Sequence, residues 1–551
     1  MSILNLSDIE TEQKFLSEAI CVVGGGIAGL LLARRVARAG RRVVVIESGV
    51  DAFDDAVHAL NEIEHPGERY SRELTGRYRG LGGTSSRWGG RMIPLSEHDT
   101  SARNHVSQPA WPFEYEGLTP SRDEIERLFG VGSGSYESIA DERGPGWEAF
   151  PQGAASLTPR WAKCPSFKRS NLATLLRNEL KNQKNLEIWL GATVCDFHLD
   201  RASGRLNAIT ARDFGNKRLT VRADRFVFAA GTIETTRLLL LLDAASDGQA
   251  FSRCKVLGRY FQDHLKAEVA TISRKDPVAT NRLFAYRFVN STRRDLHLEL
   301  SQARQRQDQA ASAFVYVAMD LAQSPLADLK RIAHGLQQRK VELRDVRSIM
   351  KSPGLIAQAT YWRYIRKQLF VPASVDLRLL ICAEQLPDWS NRISLSRARD
   401  RMGMPKVRLD WGPKPADERT FRSALAGLEA YWREAGFDRL CPLVWSPAID
   451  HPSVPITDRA EACAHPSGST RMGTDPAQSV VGPDLFCHAV PNVAVASASV
   501  FPTAGSANPT FTIMKLALWL ADSFLATAAP CRPVCAGAAD SIEGTTYPVH
   551  I

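Results

Sequence analysis

The sequence predicts an α/β protein of two large lobes. One is a nucleotide-binding domain assembled from separated pieces of chain, and the other is an α+β domain, based on an antiparallel sheet, inserted within it. Three observations predict it. At 551 residues the chain exceeds what one hydrophobic core ordinarily serves. It opens with a strand, a glycine turn, a helix and a second strand, and it returns to buried α/β elements near its end. Between them, from about residue 267 to residue 410, stretches such as "SVDLRLLICAEQL" and "NRISLSR" alternate with the period of an antiparallel sheet.

Composition narrows the function classes. Hydrophobic residues make up 44% and charged residues 23%, the balance of a soluble globular protein and not of a disordered one. No uninterrupted apolar run is long enough to span a bilayer. The opening "MSILNLSDIETEQKF" has no basic n-region, no apolar h-region and no twin arginine, so a cytoplasmic protein is expected. Ten scattered cysteines make no disulfide framework, and free thiols suit that compartment. "CRPVC", with Cys531 and Cys535, falls in an Ala- and Pro-rich tail and reads as incidental. The net charge of +9 reads as solubility, and the dispersed arginines form no basic stripe, so no nucleic-acid partner is expected.

The elements follow in order. In "AICVVGGGIAGLLLARRVARAGRRVVVIESG" a short apolar strand at 20–23 meets a glycine turn. A helix follows with Ile27, Leu30, Leu31 and Ala33 facing inward; Gly40 ends it, and "RRVVVIE" is a second buried strand. This is a βαβ unit. A second glycine-rich loop, "RYRGLGGTSSRWGGRMIP", spans 77–94, and "QPAWPFEYEGLTPS" reads as loops and short helices. A helix at 171–184 leads into the strand "LEIWLGATVCDFHLD", and "RFVFAAGTIETTRLLLLL" is another strand, turn and helix. In the middle region "LADLKRIAHGLQQRKVELRDVRSIM" and "AQATYWRYIRKQLF" are helical and basic, a solvated cover on the insert. The last ordered block, 447–528, ends in the apolar helix "TFTIMKLALWLADSFL". These elements allot 16–100, 166–266 and 447–528 to the nucleotide-binding domain and 101–165 to a cover, linker and substrate-side loops. Residues 267–446 fall to the inserted domain and 529–551 to a loose tail.

Gly24-x-Gly26-x-x-Gly29 follows a strand and opens a helix, the setting of a Rossmann-like dinucleotide site. Gly24 makes the tight turn, Gly26 lets backbone approach a pyrophosphate, and Gly29 lets helix and strand pack closely. Backbone N–H groups and the helix dipole favour the phosphate charge. Glu47 closes the second strand, where an acid accepts hydrogen bonds from an unphosphorylated ribose, as in FAD or NAD. The second loop favours FAD: Gly83, Thr84 and Ser85 offer backbone N–H groups, and Trp88 can flank an aromatic ring.

Three more motifs stand in order: "VFAAGTIETTRLLL" (227–240), "VLGRYFQDH" (256–264) and "HPSGSTRMG … VAVASASVFPTAGSANPTFTIMKLALWLAD" (465–522). With the two glycine loops they resemble the glucose–methanol–choline (GMC) family of FAD-dependent oxidoreductases. The closest-looking branch acts on sugars and sugar-containing molecules: pyranose oxidases, sugar dehydrogenases and aminoglycoside oxidases. The resemblance covers roughly half the chain, and the insert is similar only at "EQLPDWSNRISLS".

That resemblance implies FAD and oxidation of a hydroxyl on a sugar, glycoside or polyol. His465 takes the proton as the alcohol carbon gives hydride to the flavin, and imidazole suits that task near neutral pH. Asn508 falls where the family has its second active-site residue, His or Asn. "NPTF" is also a helix start, with Asn508 as N-cap, Pro509 at the first position and Thr510 next, its N-terminus aimed at the flavin. By the same resemblance Val194 offers its backbone to the adenine. Ser497 stands where many relatives carry Asp or Gly, so a ribityl or phosphate contact there runs through a hydroxyl or backbone. Arg87 stands where some pyranose oxidases attach FAD through a histidine, which implies non-covalent FAD. Gly89 replaces a threonine near the flavin, which leaves oxidase and dehydrogenase, and so oxygen or another carrier as acceptor, both open. Asp263 and His264 match a family motif and read as structural, near the domain junction.

No histidine pair has ligand spacing, so no metal is expected, and no G-x-S-x-G elbow points to a serine hydrolase. The rival reading is a hydroxynitrile lyase-like enzyme of the same fold with non-redox FAD, and a third is an idle FAD-binding protein. The partner expected is a small hydroxylated substrate; oligomeric state is not indicated.

Overall fold

A computed structural model of the chain describes residues 3–113, 115–118, 120–138, 155–319, 321, 353–447, 449 and 454–526. All of the first basic segment, and the tail with Cys531 and Cys535, lie outside the described residues.

The first lobe is built on an eight-stranded sheet. Ile3–Asn5, Leu186–Leu190, Val43–Ile46, Gln13–Val23 and Arg218–Phe228 lie side by side, each parallel to the next. Arg205–Arg212 and Thr193–Asp200 continue it antiparallel, and Val493–Val495 runs parallel against the end of Arg218–Phe228. Strands buried on both faces read as unbroken apolar runs, and Val43–Ile46 is buried at every position. The first strand is longer than the predicted 20–23: it starts at Gln13 and pairs along its length with Arg218–Phe228. That outer half alternates exposed and half-buried residues, so it lacks the apolar run that marks the inner half. Helices Ile27–Arg38 and Thr510–Ala526 pack against each other over the sheet. Helix Leu172–Asn182 begins one residue after its predicted start, because the Asn171 side chain caps it by accepting the Ala173 N–H at 3.0 Å.

The second lobe is an antiparallel sheet in the order Arg287–Val289, Thr292–Leu300, Ala313–Met319, Leu377–Ala383, Leu265–Ile272, Leu443–Trp445. Leu157–Cys164 pairs with Thr292–Leu300 over eight residues, so the segment expected as cover and linker supplies a strand of this sheet. "NRISLSR" forms no part of it. Arg392–Arg399 pairs instead with Pro405–Asp410 in a separate three-stranded sheet with Ile63–Glu64. Of the second basic segment, the helix is Pro353–Tyr364.

Register decides which way the large antiparallel sheet faces. Leu298, Val315, Ile381 and Ala267 align across four strands and join the core under helix Pro415–Glu434. The neighbouring rows, Glu299–Phe314–Cys382–Lys266 and His297–Tyr316–Leu380–Glu268, point to the opposite face, because side chains alternate along a strand. That second face turns toward the first lobe.

Candidate active site

The two glycine loops close on one another. Gly24 has φ of +110°, and a Cβ there would sit 2.6 Å from the Ala229 carbonyl oxygen; at Gly29 it would lie 2.0 Å from the Gly24 oxygen. Neither position admits a side chain. The Gly82 N–H donates to the Gly25 carbonyl at 2.8 Å, which fastens the second loop to the first. Gly83–Ser86 is a 3-10 turn; the Ser85 hydroxyl donates to the Gly82 carbonyl at 2.6 Å and accepts the Leu172 N–H at 3.2 Å. Trp88 donates its indole N–H to the Ser170 carbonyl at 2.9 Å. The buried Glu47 carboxylate accepts the Gly25 N–H at 2.7 Å and the Gly49 N–H at 2.8 Å. Burial pushes its pKa up, against those two hydrogen bonds.

One cavity brings most of the candidates together. Gly24, Gly26, Glu47, Gly83, Thr84, Ser85, Trp88, Val194, Ser497, Thr510 and His465 all border it. Gly29 lies behind, where helix meets strand. Val194 sits at a register shift in its strand, and the Ser497 hydroxyl accepts the Ser499 N–H at 3.2 Å.

The segment around His465 has no helical or strand period, yet backbone hydrogen bonds hold both its edges. On one side Cys463 N–H donates to the His264 carbonyl, and Gln262 and Ser467 exchange two bonds. On the other, Gly468, Thr470 and Met472 donate to Ala498, Ser499 and Val500. Ala464 takes φ of +62°, a left-handed conformation that costs a non-glycine residue on the order of 1–3 kcal/mol. That strain turns His465 into the cavity. Its N–H donates to Asp263 Oδ1 at 2.8 Å, and Asp263 Oδ2 accepts the Tyr70 hydroxyl at 3.1 Å.

His465 lies in a line of hydrogen bonds whose direction is set at one end. His264 Nε2 is 2.8 Å from the Gly505 carbonyl, which can only accept, so this nitrogen carries a proton. In neutral His264 the other nitrogen, Nδ1, is then an acceptor. It lies 3.0 Å from His465 Nδ1, which therefore donates, leaving His465 Nε2 with its lone pair, 3.1 Å from Asn508 Nδ2. Burial holds the His465 pKa well below its ordinary value, and the charges of His264, Arg91, His297 and Lys266 push it the same way. His264 is raised: burial works against its charge, but the Cys382 thiol and Asp263 outweigh it.

Two family models match: that described as GMC oxidoreductase over residues 387–517, and that described as FAD dependent oxidoreductase over residues 19–250. The chain thus carries a GMC oxidoreductase region near its C-terminal end and an FAD dependent oxidoreductase region in its first half.

This oxidoreductase is an FAD enzyme, and its first lobe has the Rossmann-like α/β fold. It is similar to a 6'''-hydroxyparomomycin C oxidase of Streptomyces lividus, 24% identical over 91% of this chain and 90% of that one. The fructose dehydrogenase large subunit of Gluconobacter japonicus is 26% identical over 93% of this chain and 98% of its own. A C-glycoside 3-oxidase of Arthrobacter globiformis is 32% identical over 27% of this chain and 26% of its own. Among solved structures, pyridoxine 4-oxidase from Mesorbium loti shares the fold, with a TM-score of 0.57 at 17% identity over 92% of this chain and 99% of that one.

The cavity fits FAD. Bare glycine backbone at Gly24 and Gly26 lines it, with a buried acid beyond, and a Cβ at Gly26 would project into space bordered only by the Ala229 oxygen at 4.0 Å. One sequence expectation is corrected. Asn508 does not cap the last helix: its Oδ1 meets no donor, and its amide turns to His465 instead. The helix begins at Thr510, with Ile513 N–H bonded to the Pro509 carbonyl. Other cavity residues escaped the sequence reading. Arg79 donates to Glu234 at 2.7 Å, Ser48 at 3.0 Å and Asn61 at 3.0 Å, and all four border the cavity. Their signal was Arg77 and Arg79 alternating into the second glycine loop. His264 touches His465 across 201 positions of sequence, and no local pattern announces such a pair. Among the described residues no cluster of His, Cys, Asp and Glu could hold a metal, and no helix is long and apolar enough to cross a membrane.

Proposed function

We propose that this oxidoreductase oxidises a hydroxyl of a sugar, glycoside or similar polyol to a carbonyl, with His465 as base and Asn508 as partner of the substrate oxygen. One observation carries the reading: the line Gly505–His264–His465–Asn508, which with His264 neutral leaves an unprotonated imidazole nitrogen of His465 at the wall of the cavity. The names of its relatives, oxidases of aminoglycosides and C-glycosides and a dehydrogenase of fructose, support the substrate class.

When bound, FAD supplies the acceptor for a hydride from the carbinol carbon. Gly24 and Gly26 would hold its pyrophosphate, Glu47 its ribose, Val194 its adenine, and the Gly83–Trp88 loop with Ser497 and Thr510 its flavin end. FAD is held without a covalent bond: Arg87 stands before Trp88 with its guanidinium over Phe53 at 4.5 Å and Tyr78 at 4.6 Å. His465 Nε2 takes the hydroxyl proton. As it does, its Nδ1–H faces His264, whose raised pKa lets the two rings share the charge. Asn508 Nδ2 donates to the same oxygen, keeping it within reach of the base. A base positioned in this way is worth roughly 10²–10⁴-fold. Cytoplasmic residence and the allotment of 16–100, 166–266 and 447–528 to the FAD-binding domain belong to this reading.

The test is anaerobic mixing of the FAD-loaded protein with monosaccharides, glycosides, aminoglycosides, sterols and simple alcohols while watching the visible flavin band. Bleaching by a hydroxylated sugar or glycoside is the expected result, and readmitted air then shows whether oxygen is the acceptor. FAD that no alcohol bleaches would overturn the reading in favour of the lyase.

A further inference from the structure

On the reading that a hydroxylated sugar is oxidised at His465, we propose that the polar sheet face beside His465 holds a site for an anionic group of that substrate, a carboxylate or phosphate, centred on Arg91. This face is the second face of the antiparallel sheet. His264, which touches His465, lies on the same face as Lys266, Cys382, Tyr316 and His297, because side chains two apart on a strand point the same way. Tyr316 is two strand spacings from His264 and His297 three, so this polar face extends roughly 10–15 Å from the base, the reach of a sugar and one substituent. Arg91, two residues after Gly89 in the second glycine loop, lies against this face with its guanidinium 5.5 Å from the Tyr316 ring.

The charges around Arg91 do not balance. Asp295, nearly fully buried, accepts Arg91 Nε on one oxygen at 2.7 Å and faces Arg293 Nε with the other at 2.7 Å. One carboxylate thus serves two guanidinium groups. Arg293 also turns a nitrogen to the Gly89 carbonyl at 3.1 Å and the Cys164 sulfur at 3.3 Å. The two Nη groups of Arg91 meet no hydrogen-bond partner among the described residues, and its side chain, stacked beside Tyr316, stays 28% exposed. The other cations of this face are matched: Arg378 with Glu268 at 3.0 Å and Lys266 with Glu461 at 3.5 Å. A partly buried guanidinium fork with both outer nitrogens unused is the shape that binds a planar carboxylate or a phosphate through two parallel bonds.

His297 lies behind the site. It is fully buried, lies parallel to Phe314 at 4.1 Å, and neither ring nitrogen has a partner among the described residues. Burial and the Arg91 charge drive its pKa down to about 3, so it is neutral and adds no charge beside Arg91. The excess positive charge repels an amino sugar. The substrate class is an acidic sugar: a uronic or aldonic acid, a glycoside bearing one, or a sugar phosphate.

The test is the thermal unfolding midpoint of the FAD-loaded protein titrated with glucuronate, glucose 6-phosphate, glucose and glucosamine, a readout that needs no turnover. The expected result is a rise with glucuronate or glucose 6-phosphate at concentrations at least about 10-fold below any effect of glucose, and none with glucosamine. Which acid acts tells carboxylate from phosphate. R91Q abolishes the rise and R91K keeps part of it, while R201A, at an exposed ion pair, leaves it as in the parent. Equal shifts by glucose or glucosamine, no shift by either acid, or an undiminished shift in R91Q would overturn the anion site. Flavin bleaching in the same samples reports on oxidation separately. An acid that shifts the midpoint through Arg91 without bleaching leaves the anion site standing and removes the oxidation; a neutral glycoside that bleaches with no acid shift does the reverse.

Discussion

The two large sheets bury themselves in opposite ways. The inner strands of the first, Val43–Ile46 and the end of Gln13–Val23, are apolar on both faces and lie between helices and other strands. The antiparallel sheet is apolar on one face only, against Pro415–Glu434, and keeps Asp295, His297, Tyr316 and Lys266 on the other. A polar sheet face normally meets water; this one meets the FAD-binding lobe. Burying polar groups without full partners costs free energy, so the structure maintains this face for what it binds. The first sheet is a scaffold and the second is a scaffold on one side and a site on the other.

That contrast can be broken at several points. The largest effect is expected at the cradle. Gly29→Ala forces a Cβ into the Gly24 carbonyl, so the purified variant should carry no FAD; a yellow variant with full FAD content would contradict the packing. Next is the apolar face. Leu379→Ala empties a fully buried position and should cost about 2–5 kcal/mol in chemical denaturation while FAD stays bound.

Asp263 gives a smaller effect with a definite sign. Burial raises its pKa to about 7, against the His465 N–H, the His264 charge and the Tyr70 hydroxyl. The folded value exceeds the unfolded one, about 3.9, so its contribution is full below pH 4 and is lost as pH rises through 7. Asp263→Asn should therefore flatten the fall in urea midpoint over that window; an unchanged slope would remove Asp263 as its source. The smallest effect belongs to the polar face. His297→Phe removes two unpartnered nitrogens and should leave stability within about 1 kcal/mol of the parent or raise it. A large loss of stability there would make His297 a structural residue.

Legibility in the sequence follows the same division. The cradle was readable because its signals are local: glycines at fixed spacing, an apolar run on either side, an acid at the strand's end. Helix Leu172–Asn182 was readable from its period and its cap. The roof was not, since alternation in Thr292–Leu300 and Leu377–Ala383 reveals a sheet but not what its polar face meets. His465 and Asn508 came from resemblance, and the cap assigned to Asn508 failed because its Nδ2 turns to His465 while its Oδ1 meets no donor among the described residues. Helix Pro415–Glu434, with proline at its first turn, has a local signature and no place in the sequence reading. Arg91 and Asp295 stand 204 positions apart, and only the fold brings them within 2.7 Å.

The central claim is that His465 Nε2 is the base, and the rate of anaerobic flavin reduction against pH, in the parent and in His465→Gln, tests it most directly. Because the His465 pKa is depressed, the parent should hold its rate through neutral pH and lose it only below pH 6.5, as the imidazole protonates. His465→Gln should bind FAD, react roughly 10²–10⁴-fold more slowly and show no such acid limb. A variant that keeps the parent's rate, or the same acid limb, would place the base elsewhere.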